Sequence, residues 1–190
     1  MVYFATGNKH KFEEARFALG KYAIRVVQIK QKGLEIQSNS LETIAKSCVL
    51  NATKRFSNPI FVEDAGLFIK ALSGFPGPYS SYVYQTLGIS GILKLTSCID
   101  DRSAEFRSVI AFCDTSGNLR CFDGVIGGRI SSEARGIGGF GFDPIFEPDN
   151  ENGKTFAEMS VEEKSLFSHR GIALRKFAKW YAKYLRNHTL

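Results

Sequence analysis

No apolar run in the 190-residue chain approaches the roughly 18 residues that a membrane-spanning helix needs. A helical membrane protein is therefore excluded, and no membrane partner is expected. The N-terminus runs straight into a strand-like stretch, without a basic n-region or an apolar h-region, so no signal peptide is expected. The four cysteines, Cys48, Cys98, Cys113 and Cys121, show no C-x-x-C spacing. Each lies in an apolar or strand-like setting, as the reduced thiols of a cytoplasmic protein do. The three histidines have no i,i+4 partner, which argues against a zinc site. Neither glycine-rich phosphate motif is present, because MVYFATGNKHK carries one glycine where a P-loop or a G-x-G-x-x-G turn needs two or three. There is no internal repeat and no low-complexity linker.

What is present is an ordinary soluble composition, 44% hydrophobic and 23% charged, with 16 phenylalanines to fill a core. The length fits one domain, residues 1–190, or one domain with two lobes, and buries a full core without staples. The net charge of +6 favours an anionic partner: nucleic acid, a nucleotide or an acidic surface. Much of that excess sits on the last helix, at Arg175, Lys176, Lys179, Lys183 and Arg186, where it reads as a solvated face.

Val2–Ala5 reads as a strand that passes through Thr6-Gly7-Asn8 into a helix over residues 9–19, with Gly20 as its stop. A second strand covers 24–29. A second helix carries Leu41, Ile44, Ala45, Cys48 and Ala52, capped by Asn39 or Ser40. Ile60-Phe61-Val62 is short and apolar, as a central strand is. Helical sequence follows from about 80 to 95 with a break near Gly88. Residues 103–113 and 119–130 form a hairpin around Asp114–Asn118. Ser160 and Glu163 make a capping box, and the final helix shows Leu174, Phe177, Ala178, Tyr181 and Leu185 at helical spacing. The order βαβαβ, helices, hairpin, helix is that of an α/β protein with a mixed sheet.

Chemistry concentrates in four places. A loop opening a helix and carrying Lys9, His10 and Lys11 is an anion site or an ordinary turn with solvated lysines. Glu63-Asp64 ends the third strand, where ligands sit in open α/β sheets; two acids there hold a hard cation such as Mg²⁺ or cap the turn that follows. Glu35 lies at the same sheet edge if the first three strands are parallel, and with Asp64 it completes a two-carboxylate site. Phe140-Gly141-Phe142-Asp143 offers an aromatic to stack on a base and an acid to accept from it, or a bulge with core phenylalanines. Lys164 and Arg170 add phosphate and carbonyl donors, while a lone histidine such as His169 is more often structural.

TGNxxKxxE, VEDAGL, GFPGPYSS, GFGFDPIF and KTFAEMSVEEKSLFSHRG, in that order from Thr6 to Arg170, together resemble the inosine triphosphatase family. The resemblance implies an α/β fold of two lobes around a long, twisted mixed sheet, with the active site in the cleft between them, and a homodimer. It implies Mg²⁺-dependent hydrolysis of ITP, dITP and XTP between the α- and β-phosphates. It places Thr6, Gly7, Asn8 and Lys11, with Lys9 and His10 beside them, on the triphosphate. Glu35 and Asp64 would serve the metal, and Asp64 would act as base for the attacking water. Ala65 would donate its backbone N–H. Phe140, Gly141, Phe142 and Asp143 would line the base pocket, and Lys164, His169 and Arg170 would close over phosphate and base, Arg170 donating to a 6-keto oxygen.

Several positions depart from the family pattern. Ala65 stands where many members have Ser or Thr, and Phe142 where Trp or Tyr is common. Ser47 or Cys48 falls where some members place a substrate lysine, with Lys46 nearby. Two rivals make different predictions: a related Maf-like pyrophosphatase acting on other modified nucleotides, and a nucleic-acid-binding module, which the strand-end acids do not suit.

Overall fold

The computed structural model describes residues 1–30, 36–149 and 152–188. Its centre is a seven-stranded sheet in the order β2-β1-β3-β5-β6-β7, with β4 paired to β3. The strands are β1 (Val2–Ala5), β2 (Val26–Ile29), β3 (Ile60–Ile69), β4 (Pro76–Gly77), β5 (Ser103–Cys113), β6 (Leu119–Ile130) and β7 (Phe146–Pro148). The helices are α1 (Lys9–Gly20), α2 (Leu41–Thr53), α3 (Ser80–Thr86), α4 (Gly88–Leu95), α5 (Val161–Phe167) and α6 (His169–His188). The first three strands are parallel and the remaining pairings antiparallel, so the sheet is mixed. Among the described residues no helix is long and apolar enough to cross a membrane.

The hairpin has the strand limits expected from its turn signals, and the capping box at Ser160 closes as expected, Ser160 Oγ accepting from Glu163 N. Ser40 caps α2. α1 ends at Gly20, with Lys21 as its C-cap, and the chain then reverses through Ala23 at φ +56°. The larger correction concerns β3. It does not end at Glu63-Asp64 but runs ten residues in all, pairing with β5 from Ile60↔Cys113 to Ile69↔Ala104. The two acids therefore lie in mid-strand.

They are nevertheless at a strand end, that of β1. Only Tyr3 and Phe4 pair with β3, at Ile60 and Phe61, so β3 runs on past the point where β1 leaves the sheet. Because β2 and β3 flank β1 on opposite sides, right-handed crossovers put α1 and α2 on opposite faces. α1 packs with α6 around Phe4, Phe61 and Phe112, and α2 covers the other face against Ile60, Val62 and Ala111. A crevice at such a switch point is where open α/β sheets bind ligands. A third apolar cluster lies at the far end of the long strands, around Leu67, Ile69, Phe106 and Phe146. Between the near and far clusters β3 carries Glu63, Asp64, Ala65 and Gly66, and β5 carries Ser108 opposite Ala65. The core thus divides into two lobes, and the polar stretch of β3 lies between them.

Candidate active site

The loop after β1 is built by its own side chains. Thr6 Oγ1 accepts from Asn8 N at 3.1 Å, and Asn8 Oδ1 accepts from His10 N and Lys11 N at 2.9 and 3.2 Å, starting α1. The three basic residues then diverge. Lys9 is exposed and pairs with Glu13. His10 stacks on Phe140, ring centroids 5.2 Å apart. Lys11 turns inward, its Nζ 2.9 Å from Glu63 Oε2 and 3.2 Å from the Glu63 carbonyl oxygen.

Within the site, the Glu63 carboxylate has three partners. Its Oε1 accepts from Ser108 Oγ at 2.6 Å and from Arg170 Nε at 3.1 Å. Burial pushes its carboxyl up, but Arg170, Lys11 and the Ser108 hydroxyl outweigh burial and hold it far below the usual carboxylate range. Arg170 also donates from Nη1 to Glu14 Oε2 at 2.7 Å. Lys164 Nζ donates to Glu14 Oε1 at 3.0 Å and to Asp143 Oδ2 at 2.6 Å. Asp143 Oδ2 in turn accepts from Phe140 N at 2.7 Å. The charges form one chain: Lys11, Glu63, Arg170, Glu14, Lys164, Asp143. Burial raises Asp143, with Lys164 only partly offsetting it. In Glu14 burial is overcome by Arg170 and Lys164, and its carboxyl is lowered.

Two glycines make this geometry reachable. A β-carbon on Gly124 of β6 would collide with the His169 carbonyl, so this glycine lets the start of α6 lie against the sheet. Gly139 has φ +69°, and a β-carbon there would strike the Asp143 carboxylate. His169 is 2% exposed and stacks on Phe106 at 4.7 Å. Among the described residues its buried Nδ1 has no hydrogen-bond partner. Burial, then Arg170 and Lys164, hold the imidazole well below its usual pKa, so it is neutral. The loop after β1, the polar stretch of β3, the glycine-rich loop and the start of α6 all open into one cavity of about 1090 Å³, slightly above the usual size range of small-molecule sites.

The sequence profile of the Ham1 family matches residues 2–180, almost the whole chain. The chain belongs to the Ham1 family. A relative from Methanopyrus kandleri, named dITP/XTP pyrophosphatase, is 50% identical over 180 residues, covering 95% of each chain. One of the same name from Hyperthermus butylicus is 47% identical over 184 residues, covering 97% of this chain and 96% of its own. The solved structure of a HAM1 protein from Coxiella burnetii superposes with a TM-score of 0.83 at 29% identity, covering 96% of this chain and 98% of that one.

Of the residues expected in the site, this Ham1 chain brings Thr6, Gly7, Asn8, His10, Lys11, Asp64, Ala65, Phe140, Gly141, Phe142, Asp143, His169 and Arg170 to the cavity. Lys9 is outside it, and Lys164 lies behind its wall, held by the two acids. Glu35 lies outside the described residues. Phe142 is 3% exposed and packs edge-on against Tyr84 within the far apolar cluster, so little of its ring is offered to a base. On α2, Cys48 reaches the cavity wall, whereas Lys46 pairs with Glu42.

The donor chemistry suits a hard cation in one respect. Asp64 places a carboxylate in the cavity wall, its Oδ1 accepting from Ala65 N, and Mg²⁺ commonly takes one or two carboxylates with water and substrate phosphates. Glu63 is committed to Lys11, Ser108 and Arg170. Among the described residues no cluster of three or more His, Cys, Asp or Glu could hold an ion.

Sequence reasoning gave no role to Glu14, although it is the final acid of TGNxxKxxE, and missed Ser108. Ser108 carries no local signal. Glu14 does: it lies four residues before Ala18 on the inward face of α1, and an acid on an apolar helix face needs buried cations.

Proposed function

We propose that this chain hydrolyses ITP, dITP and XTP to the monophosphate and pyrophosphate, removing them from the nucleotide pool and keeping them out of DNA and RNA. The observation that carries this is a single cavity. Its wall joins the Thr6–Asn8 loop and Lys11, read as the phosphate end, to Phe140, His169 and Arg170, read as the base end, with Asp64 in the same wall. It does so in a chain whose relatives are named dITP/XTP pyrophosphatase.

Lys11 and the loop hold the triphosphate. Asp64 orients the attacking water and takes its proton. Phe140 contacts the base, and the unpartnered Nδ1 of the neutral His169 meets its polar edge. A site whose polar groups pair with one base and not another discriminates strongly, and Arg170, held by Glu63 and Glu14, presents donors to a 6-keto purine. Mg²⁺, held by Asp64 and, as the resemblance implies, Glu35, would neutralise charge on the phosphates. The enzyme works in the cytoplasm as a homodimer; Tyr79, Tyr82 and Leu87 at α3 are exposed large hydrophobic residues of the kind a second copy would cover.

The test is hydrolysis of ITP, XTP, GTP and ATP with Mg²⁺, pyrophosphate being read separately from orthophosphate, for wild type and Asp64→Asn. Pyrophosphate from ITP and XTP, lost in the variant, is expected. Orthophosphate release would put cleavage at the wrong bond and overturn the proposal.

A further inference from the structure

We propose that the His10 imidazole is a placeholder for the substrate base: it covers Phe140 while the cavity is empty and must swing away before a nucleotide can stack there. This rests on the proposed nucleotide reading of the site, in which Phe140 contacts the base. Both residues line the cavity. Their rings lie nearly parallel, 13° apart, with centroids separated by 5.2 Å. Flat rings in contact stand about 3.5 Å apart, so a base between these two would need a gap of roughly 7 Å. The centroid separation is the upper bound on the present gap, and it is too small. A base that stacks on Phe140 therefore competes with His10.

Of the groups over Phe140, His10 is the one free to leave. Lys164 Nζ and Arg170 Cζ also lie over the ring, 5.1 and 5.2 Å from its centroid. Each is 3% exposed, and each is bonded to two acids. Phe140 is itself anchored, its N–H donating to Asp143 Oδ2 at 2.7 Å. His10 is exposed, and among the described residues its ring makes no hydrogen bond. Its backbone N–H is held by Asn8 Oδ1 at 2.9 Å, so the side chain can turn while the start of α1 stays in place. Lys11, the next residue, points elsewhere and keeps both of its contacts with Glu63. Displacing His10 thus leaves the phosphate end untouched. Exposed side chains change rotamer in nanoseconds or less, so the stack does not slow turnover. It lowers apparent affinity instead, by the fraction of molecules in which Phe140 is uncovered.

The experiment compares wild type, His10→Ala and His10→Phe for kcat and KM on ITP, with inorganic tripolyphosphate as an inhibitor that carries phosphates and no base. His10→Ala lowers KM for ITP roughly two- to tenfold, the range of one aromatic stacking pair. Its kcat and its inhibition by tripolyphosphate stay within about twofold. His10→Phe keeps a ring over Phe140 and retains or raises the wild-type KM. Proton NMR reads the stack directly, because the ring current of Phe140 shifts the His10 ring protons. The chain has three histidines, and His10→Ala assigns the signal. Inosine 5′-monophosphate moves that signal toward its unstacked position, given by Phe140→Leu, and tripolyphosphate leaves it in place. A raised KM in His10→Ala would make the imidazole a partner of the bound nucleotide and overturn the proposal. So would an unchanged KM, an equal change for ITP and tripolyphosphate, a KM lowered equally in His10→Phe, or a His10 signal that the monophosphate leaves unmoved. Failure of the wild type to hydrolyse ITP would overturn the nucleotide reading itself, and it is seen before any variant is compared.

Discussion

Replacing Glu63 by Gln should cost more stability than any single surface change, with a signature pH dependence. The side chain is 1% exposed and takes Ser108 Oγ at 2.6 Å, Lys11 Nζ at 2.9 Å and Arg170 Nε at 3.1 Å. Gln preserves the shape but removes the charge that balances two buried or half-buried cations. Breaking a buried pair from one side costs about 3–5 kcal/mol, a large share of the 5–15 kcal/mol that typically holds a domain folded. With a urea slope of about 2 kcal/mol per molar, the midpoint should fall by roughly 1.5–2.5 M at pH 7. The carboxyl of Glu63 is lowered in the folded state. Its ionisation therefore stabilises fully above the unfolded value of about 4.3, and that contribution is lost as pH falls toward the folded value. The gap between wild type and Glu63→Gln should be widest above about pH 5 and narrow steadily below about pH 4. Urea melts of both proteins from pH 7 down to pH 3 measure it. A gap below about 1 kcal/mol at pH 7, or one independent of pH, would refute the assignment of Glu63 as the buried counter-ion.

Two further predictions follow from the placement of neighbouring groups. Lys11→Ala should lower kcat/KM on ITP roughly hundred-fold, the scale of losing one phosphate donor, while Lys9→Ala stays within about twofold, because Lys9 is exposed and paired with Glu13; steady-state kinetics on the two variants would refute the placement if their effects were equal. His169 is held neutral by burial and by Arg170 and Lys164. Its lowered folded pKa means that the unfolded chain takes the extra proton, so stability is lost as pH falls through the unfolded value of about 6.5, by up to about 1.4 kcal/mol per pH unit. His169→Phe, stacked on Phe106 in its place, should lose less stability than wild type between pH 7 and 5 in thermal melts, and parallel slopes would contradict the neutral, buried imidazole.

The parts of the fold that depend on neighbours a few residues apart were legible beforehand. Asp114–Asn118 closes a hairpin through Asp114 Oδ1, which accepts from Ser116 N and Asn118 N, and such turns are encoded within five residues. Ser160 and Glu163 cap each other across three residues. β3 was misread for the opposite reason. An apolar run that stops at Glu63 and Asp64 reads as a strand that stops there, because carboxylates inside a sheet are unfavourable unless something distant pairs with them. The partners of Glu63 are distant: Lys11 lies 52 residues away, Ser108 45 and Arg170 107.

The sequence by itself determined the main helices and strands apart from the length of β3 and the short β4 and β7, their order and, through five ordered motifs, which residue types gather at the cleft. Only the tertiary structure decided what those residues do to one another. It turned Lys9 out and Lys11 in, put Lys164 behind the wall, buried Phe142 in the far lobe, and joined Glu14 to residues 150 and 156 positions away. Periodicity and capping are short-range, so a linear pattern can carry them. Charge pairing in a buried site depends on which elements meet, and here the close approach of α6 to β6 at Gly124, where no β-carbon fits, brings Arg170 within reach of Glu63 and Glu14.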